Sequence, residues 1–169
     1  MYKWYYTSPP EFSDIIMTSD GEYLTGLWFE GSRFMPDISS YKDNPLPVFE
    51  KTVKWLDIYF SGNEPDFTPE YRITNLTPFR QAVSDIMCTV PYGEVTTYGS
   101  IAKQIAKSRG TAKMSAQAVG GAVGHNPVCV IIPCHRVMGS DGSLTGYGGG
   151  INNKIALLKL EGNDVKNFI

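Results

Sequence analysis

Histidine and cysteine are scarce in this chain: His125 and His135 are the two histidines, and Cys88, Cys129 and Cys134 the three cysteines. An odd cysteine count without framework spacing excludes a disulfide scaffold. Cys129-x4-Cys134 is a poor zinc spacing, and a four-ligand zinc site would consume nearly every candidate ligand present. Neither a metal nor an organic cofactor is implied. No apolar run approaches the ~20 residues that span a bilayer. The opening Met1-Tyr2-Lys3-Trp4-Tyr5-Tyr6 lacks a basic segment ahead of an apolar one. No membrane partner is expected, and cytoplasmic residence is the default.

Charge of one sign is also lacking, the formal net charge being −2, but its distribution is uneven. Residues 1–77 carry six Lys/Arg against twelve Asp/Glu, and residues 78–169 carry nine against five. Any polyanion should therefore dock on the C-terminal part. Hydrophobic content of 42% over 169 residues suffices for a real core in one large domain or two small ones.

Apolar patterning divides the chain into two styles. Asp14 to Thr18, a Ser19-Asp20-Gly21 turn and Glu22 to Phe29 predict an antiparallel hairpin. A turn-rich loop, Asp43-Asn44-Pro45-Leu46-Pro47, precedes a helix whose apolar positions run from Val48 to Phe60. Asn63 to Leu76, with Pro65 and Pro69, reads as a linker, so domains of residues 1–76 and 77–169 are expected. Beyond it come short helices: one capped by Thr77 with Pro78 at its first position, one capped by Thr97, and Ser115 to Gly124. The last two, joined by a short loop, suggest a helix-turn-helix. The fold class is thus α+β: a small N-terminal antiparallel-sheet α/β domain, then a helical, winged helix-turn-helix-like domain. The helix from Ser115 is built almost wholly of small residues, although each glycine costs about 1 kcal/mol of helix stability. Close approach to a neighbouring helix or to a nucleic-acid groove would explain it.

The chemistry concentrates around Ile132-Pro133-Cys134-His135-Arg136-Val137. Val128 to Ile132 reads as a short buried strand that Pro133 ends, placing Cys134 at a strand-to-turn junction where a nucleophile is held rigidly yet open on one side. Asn126-Pro127 lies just upstream, and a glycine-rich run, Thr145-Gly146-Tyr147-Gly148-Gly149-Gly150, lies downstream. Taken singly, each of these residues has an ordinary structural reading. Cys134 would be a buried thiol, His135 a hydrogen-bonded histidine, Tyr98 and Tyr147 half-buried aromatics, Glu161 a solvated charge and Asn126 a turn residue. Cys88 and Cys129 are read as core.

The series as a whole resembles the O6-alkylguanine-DNA alkyltransferase family. Pro91-Tyr92-Gly93-Glu94-Val95, Thr97-Tyr98, Ala118-Val119-Gly120-Gly121-Ala122, Asn126-Pro127, Ile132 to Val137, Gly146-Tyr147 and Leu160-Glu161-Gly162 match it in order and approximate spacing. The resemblance implies double-stranded DNA containing alkylated guanine as partner, bound through the minor groove by a monomer that rotates the base into a pocket. It implies transfer of the alkyl group to Cys134, with His135 as base through a water, Glu161 orienting His135 and Asn126 bracing the turn. Tyr98 would help rotate the phosphate and stabilise the leaving base. DNA-facing positions would be Ala116, Gln117, Ala118, Gly120 and Arg136; Val123, Tyr147 and Gly148 would wall the pocket. Gln117 departs from the arginine that many members use to fill the space of the rotated base, leaving Arg109 and Lys113 as nearby positive charge. Among other readings, a non-catalytic binder of alkylated DNA would lack Cys134. A winged-helix regulator would carry a long basic recognition helix, and a thiol hydrolase would turn over.

Overall fold

The computed structural model describes residues 1–144 and 146–168; Thr145, the first residue of the glycine-rich run, lies outside them. Strands β1 (Tyr2–Tyr6), β2 (Ile15–Ser19) and β3 (Leu24–Phe29) form an antiparallel meander. Its register runs from Tyr2 opposite Ser19 to Tyr6 opposite Ile15, and Ile15 in turn faces Phe29. The expected hairpin is present. A two-residue strand, β4 (Lys42–Asp43), pairs parallel to β1 at the start of the loop read from the sequence, so the sheet is mixed, in the order β3-β2-β1-β4.

Helix α1 (Pro47–Phe60) starts with proline at its first turn and buries Val48, Phe49, Thr52, Trp55, Leu56 and Tyr59, one face at helical spacing. Helices α2 (Pro78–Met87), α3 (Tyr98–Arg109) and α4 (Ala116–Gly124) are each capped by the side chain the sequence offers: Thr77, Thr97 and Ser115 accept from the backbone N–H of Arg80, Ser100 and Ala118. Gly110 ends α3 in the left-handed conformation, at φ +66°. Helices α2, α3 and α4 pack against one another. A two-stranded parallel pair, β5 (Thr96–Thr97) with β6 (Val137–Met138), joins the start of α3 to the chain that follows Cys134. Helix α5 (Ile151–Leu160) closes the C-terminal part.

Two segments differ from the sequence reading. Residues 63–76 include chain paired to the outer edge of β3. The Leu24 N–H donates to the Glu70 carbonyl and the Arg72 N–H to the Leu24 carbonyl, both at 2.9 Å. Proline and lack of periodicity mimic a free linker because an edge partner one residue long needs no pattern. Val128 to Ile132 is a turn and not a strand. Val128 bridges β3 at Leu27, with the Leu27 N–H donating to the Pro127 carbonyl at 2.8 Å and the Cys129 N–H to the Leu27 carbonyl at 2.9 Å. The chain then coils, with Val130 at φ +69° and the Ile131 N–H donating to the Cys129 carbonyl at 2.8 Å, a γ-turn of the rare positive-φ kind. A buried apolar run cannot by itself distinguish a strand from a coil held by side chains. One hydrophobic core, including Ile15, Phe29, Leu56, Val83, Ile101 and Leu157, runs through both parts of the chain.

Candidate active site

Asn126 braces the turn that leads to Cys134. Its Oδ1 accepts the Val128 N–H at 3.0 Å, and its Nδ2 donates to the Ile132 carbonyl at 2.9 Å. One side chain thus closes a loop that the backbone alone would leave open. Pro133 follows in an inverse γ-turn (φ −81°, ψ 62°), with the Cys134 N–H donating to the Ile132 carbonyl at 2.8 Å. Cys134 opens a single 3-10 turn (Cys134–Arg136). It is 4% exposed, so the side expected to be open is closed.

The thiol of Cys134 is held below its ordinary pKa. The hydrogen bond from Cys129 contributes most, and burial opposes it; Asn126, Tyr147 and the Lys154 ammonium also favour the thiolate. Burial pushes the Tyr147 phenol far up, so it stays a donor; its neighbours are the sulfurs of Cys134 and Cys129, and it has no nitrogen or oxygen partner. Lys154, from α5, donates to the Val137 carbonyl at 2.6 Å and is pushed down to about 8 by burial.

His135 is fully buried, and its Nε2 lies 2.8 Å from Glu161 Oε1. A carboxylate oxygen only accepts, so Nε2 carries the proton and Nδ1 keeps its lone pair. Nδ1 is buried and has no partner among the described residues. Burial lowers the histidine's pKa despite Glu161, which makes it a neutral base at neutral pH. Glu161, the residue that caps the C-terminus of α5, is the hub. Besides His135 it accepts the Tyr59 hydroxyl at 2.7 Å, Arg136 Nη2 at 2.8 Å and Nε at 2.9 Å, and the Gly93 N–H at 3.3 Å. Burial alone would raise its pKa, but the bonds from His135 and Arg136 hold it down at about 2. Gly93 sits at φ +81°, and a Cβ there would lie 3.1 Å from the Glu161 carbonyl, so the Pro91-Tyr92-Gly93 turn needs its glycine.

Tyr98 lies at the start of α3, half-buried, its ring against Gly120 and its hydroxyl toward Gly146. Burial raises its pKa, and the charge of Cys134 adds to the effect. Val123, Tyr98, Asn126, Tyr147 and Gly148 line a cavity of about 20 Å³ around Cys134. Across Tyr147 and Gly148 lies a larger one of about 960 Å³. Phe34, between them, stacks on His125 with centroids 3.9 Å apart.

The structure therefore gathers Cys134, His135, Glu161, Asn126, Tyr98, Val123, Tyr147 and Gly148 into one site. Ala116, Gln117 and Ala118 lie apart, exposed along α4, and Gly120 is partly so. Arg136 is a correction: it is buried, with Nη1 donating to the Val90 carbonyl at 2.7 Å and the rest of the guanidinium on Glu161, so it braces the carboxylate instead of facing DNA. Its neighbour in sequence needs a charged anchor, and an arginine's fork supplies one. Cys88 is also corrected, being exposed at the end of α2, whereas Cys129 is buried. Tyr59 and Lys154 were missed. Tyr59 lies on the buried face of α1, where nothing separates a core tyrosine from a carboxylate's donor, and Lys154 reads as an ordinary helix-surface lysine.

Residues 78–163 match the family described as 6-O-methylguanine DNA methyltransferase, DNA binding domain. A Haemophilus influenzae protein named methylated-DNA–protein-cysteine methyltransferase is 39% identical over 95% of this chain and 86% of its own length. The chain belongs to that methyltransferase family. A Methanosarcina barkeri protein of the same name is 43% identical over 92% of this chain and 99% of its own. Among solved structures, Mycobacterium tuberculosis OGT in complex with DNA is similar with a TM-score of 0.81 and 38% identity, covering 95% of this chain and 92% of that one.

Glu161→Gln leaves the Arg136 guanidinium without its charge partner and should lower stability by about 3 kcal/mol at pH 7, read by chemical denaturation. The Glu161 pKa is depressed from 4.5 to about 2 on folding, so its stabilisation is complete above pH 4.5 and is lost as pH falls toward 2. The stability gap between the wild type and the variant should narrow over that window; a gap independent of pH would contradict the assignment.

Proposed function

We propose that this protein repairs DNA by direct, stoichiometric transfer of an alkyl group from O6-alkylguanine to the sulfur of Cys134. The observation that carries the reading is the buried thiol adjoining a histidine whose Nε2 is tied to Glu161 and whose Nδ1 is an unengaged acceptor. His135 Nδ1 takes the thiol proton through a water, and Glu161 stabilises the imidazolium that results. The thiolate attacks the alkyl carbon; the S–C bond forms, the C–O6 bond breaks, and its electron pair returns to the guanine. Tyr98, protonated and beside the site, stabilises the leaving base. The thioether formed is a poor leaving group, so each molecule reacts once. The relatives' shared name, methylated-DNA–protein-cysteine methyltransferase, supports this reading.

Helix α4 is the proposed minor-groove element. Its glycines are not required by internal packing: a Cβ at Gly121 would meet nothing within 4 Å, and one at Gly120 only the Tyr98 ring, at 3.9 Å. The small side chains then answer to something outside the fold, which a narrow groove supplies. Gln117, exposed on this helix, would fill the space of the rotated base and hydrogen-bond the orphaned partner. Residues 77–169 form the DNA-binding and transfer domain on this reading, and residues 1–76 the α/β domain beneath it. The protein acts as a monomer in the cytoplasm. A non-catalytic binder of alkylated DNA is the second reading, and the presence of Cys134 weighs against it.

Incubation with O6-methylguanine DNA should add one methyl group to Cys134, detected by mass spectrometry. Methyl uptake by Cys134→Ser would overturn the assignment, and catalytic release of product would favour a hydrolase. Gly121→Ala should raise stability by about 1 kcal/mol while weakening DNA affinity; unchanged affinity would remove α4 from the interface. In single-turnover assays Gln117→Arg should be faster than the wild type and Gln117→Ala slower, each severalfold, whereas equal rates would show that this side chain does not limit extrusion.

A further inference from the structure

Cys129 is a thiol that alkyl transfer leaves unused. It is 5% exposed, its sulfur lies 3.8 Å from the Asn126 carbonyl, and it lines the same small cavity as Cys134. Five extended residues would separate two side chains by about 17 Å. Here the positive-φ turn at Val130 and the inverse turn at Pro133 coil that span, and both cysteines are brought to one cavity of about 20 Å³. Cys129 helps hold the Cys134 thiol down, but alkyl transfer makes and breaks no bond at this second sulfur.

We propose that Cys129 and Cys134 are a redox modification site, closing to a disulfide when the protein meets a hydroperoxide and reopening with a dithiol reductant. The Cys134 thiolate attacks a peroxide oxygen: an S–O bond forms, the O–O bond breaks, and the alcohol or water leaves after taking a proton. Cys134 is then a sulfenic acid and the peroxide is reduced. The Cys129 sulfur attacks that sulfur, the S–S bond forms, the S–O bond breaks, and the leaving hydroxide takes the Cys129 proton to depart as water. Two thiols and one hydroperoxide thus give a disulfide, an alcohol or water, and one further water. The order follows from the environment, which favours the thiolate at Cys134 and holds Cys129 as the thiol. A single-use acceptor oxidised past the sulfenic state would be lost; the disulfide keeps it recoverable. That consequence rests on the alkyl-transfer reading, whereas the disulfide itself does not.

The test treats the full chain with hydrogen peroxide in excess, since the sulfinic acid consumes a second equivalent, then blocks free thiols and maps peptides without reduction. Wild type should lose two hydrogens in a Cys129–Cys134 link, and its methyl uptake should fall and then return with dithiothreitol. Cys129→Ser, compared with its own untreated level, should proceed to the sulfinic acid and recover no more than about a tenth of its uptake. Cys88→Ser should behave as wild type throughout. A link to Cys88, sulfinic acid at Cys134 of the wild type beside a free Cys129, or full recovery of Cys129→Ser would each overturn the proposal. Absence of methyl uptake before oxidation would instead strike the alkyl-transfer reading, with the peptide map still deciding the disulfide.

Discussion

The carboxylate of Glu161 is the point on which the rest of the site hangs. Burying an ionised carboxylate costs several kcal/mol even after relaxation, and only matched donors offset it. Here four donor residues arrive from three segments: Tyr59 on α1, the Gly93 N–H of the turn before β5, and His135 and Arg136 on the 3-10 turn at Cys134, all meeting the end of α5. None of those segments could shift without leaving a buried charge or donor unpaired. His135 is therefore not oriented by one neighbour; it is one spoke of a cluster that also fixes the N-terminal helix to the C-terminal part.

The sheet supplies the second anchor. The start and the middle of β3 give their edge bonds to chain outside the sheet, Leu24 to the segment around Tyr71 and Leu27 to the turn at Val128. An exposed edge is ordinarily a hazard for association. Here it is consumed in holding the acceptor turn, which explains how a loop with a strained valine at its apex stays in one conformation. The N-terminal half acts on the site as a template, contributing Tyr59 and an edge.

How much of this could be read from the chain follows from which forces leave local marks. Caps and amphipathic faces do: Thr77, Thr97 and Ser115 announced their helices, and the apolar positions from Val48 to Phe60 announced α1. The residues gathered around Cys134 were legible through the spacing of a whole series. What stayed hidden was long-range pairing. The β3 edge contacts at residues 70–72 and 127–129, the inward turn of Arg136 and the reach of Tyr59 across 102 positions to Glu161 depend on partners far away in sequence. The apolar run at Val128 misled because burial is common to a core strand and to a side-chain-clamped coil, and only the amide of Asn126 separates them.

The same rigidity decides where the site has to give. A cavity of about 20 Å³ has room for about one water, far less than a purine. The Glu161 cluster and the clamped acceptor turn are over-determined, so space for a base rotated out of DNA cannot come from them. Looser pieces border the cavity on the other side. The Arg33 N–H donates to the Gly148 carbonyl at 3.0 Å, and Phe34 lies exposed over His125. Among the described residues, these hold the segment after β3 by one backbone bond to the glycine-rich loop and one ring stack on the end of α4, at the border between the small cavity and the large one. Parting those two loops breaks little and joins the cavities, whereas moving Cys134 would break the Asn126 clamp. The economy of the fold is that the Cys134 sulfur is held fixed while its covering is held lightly.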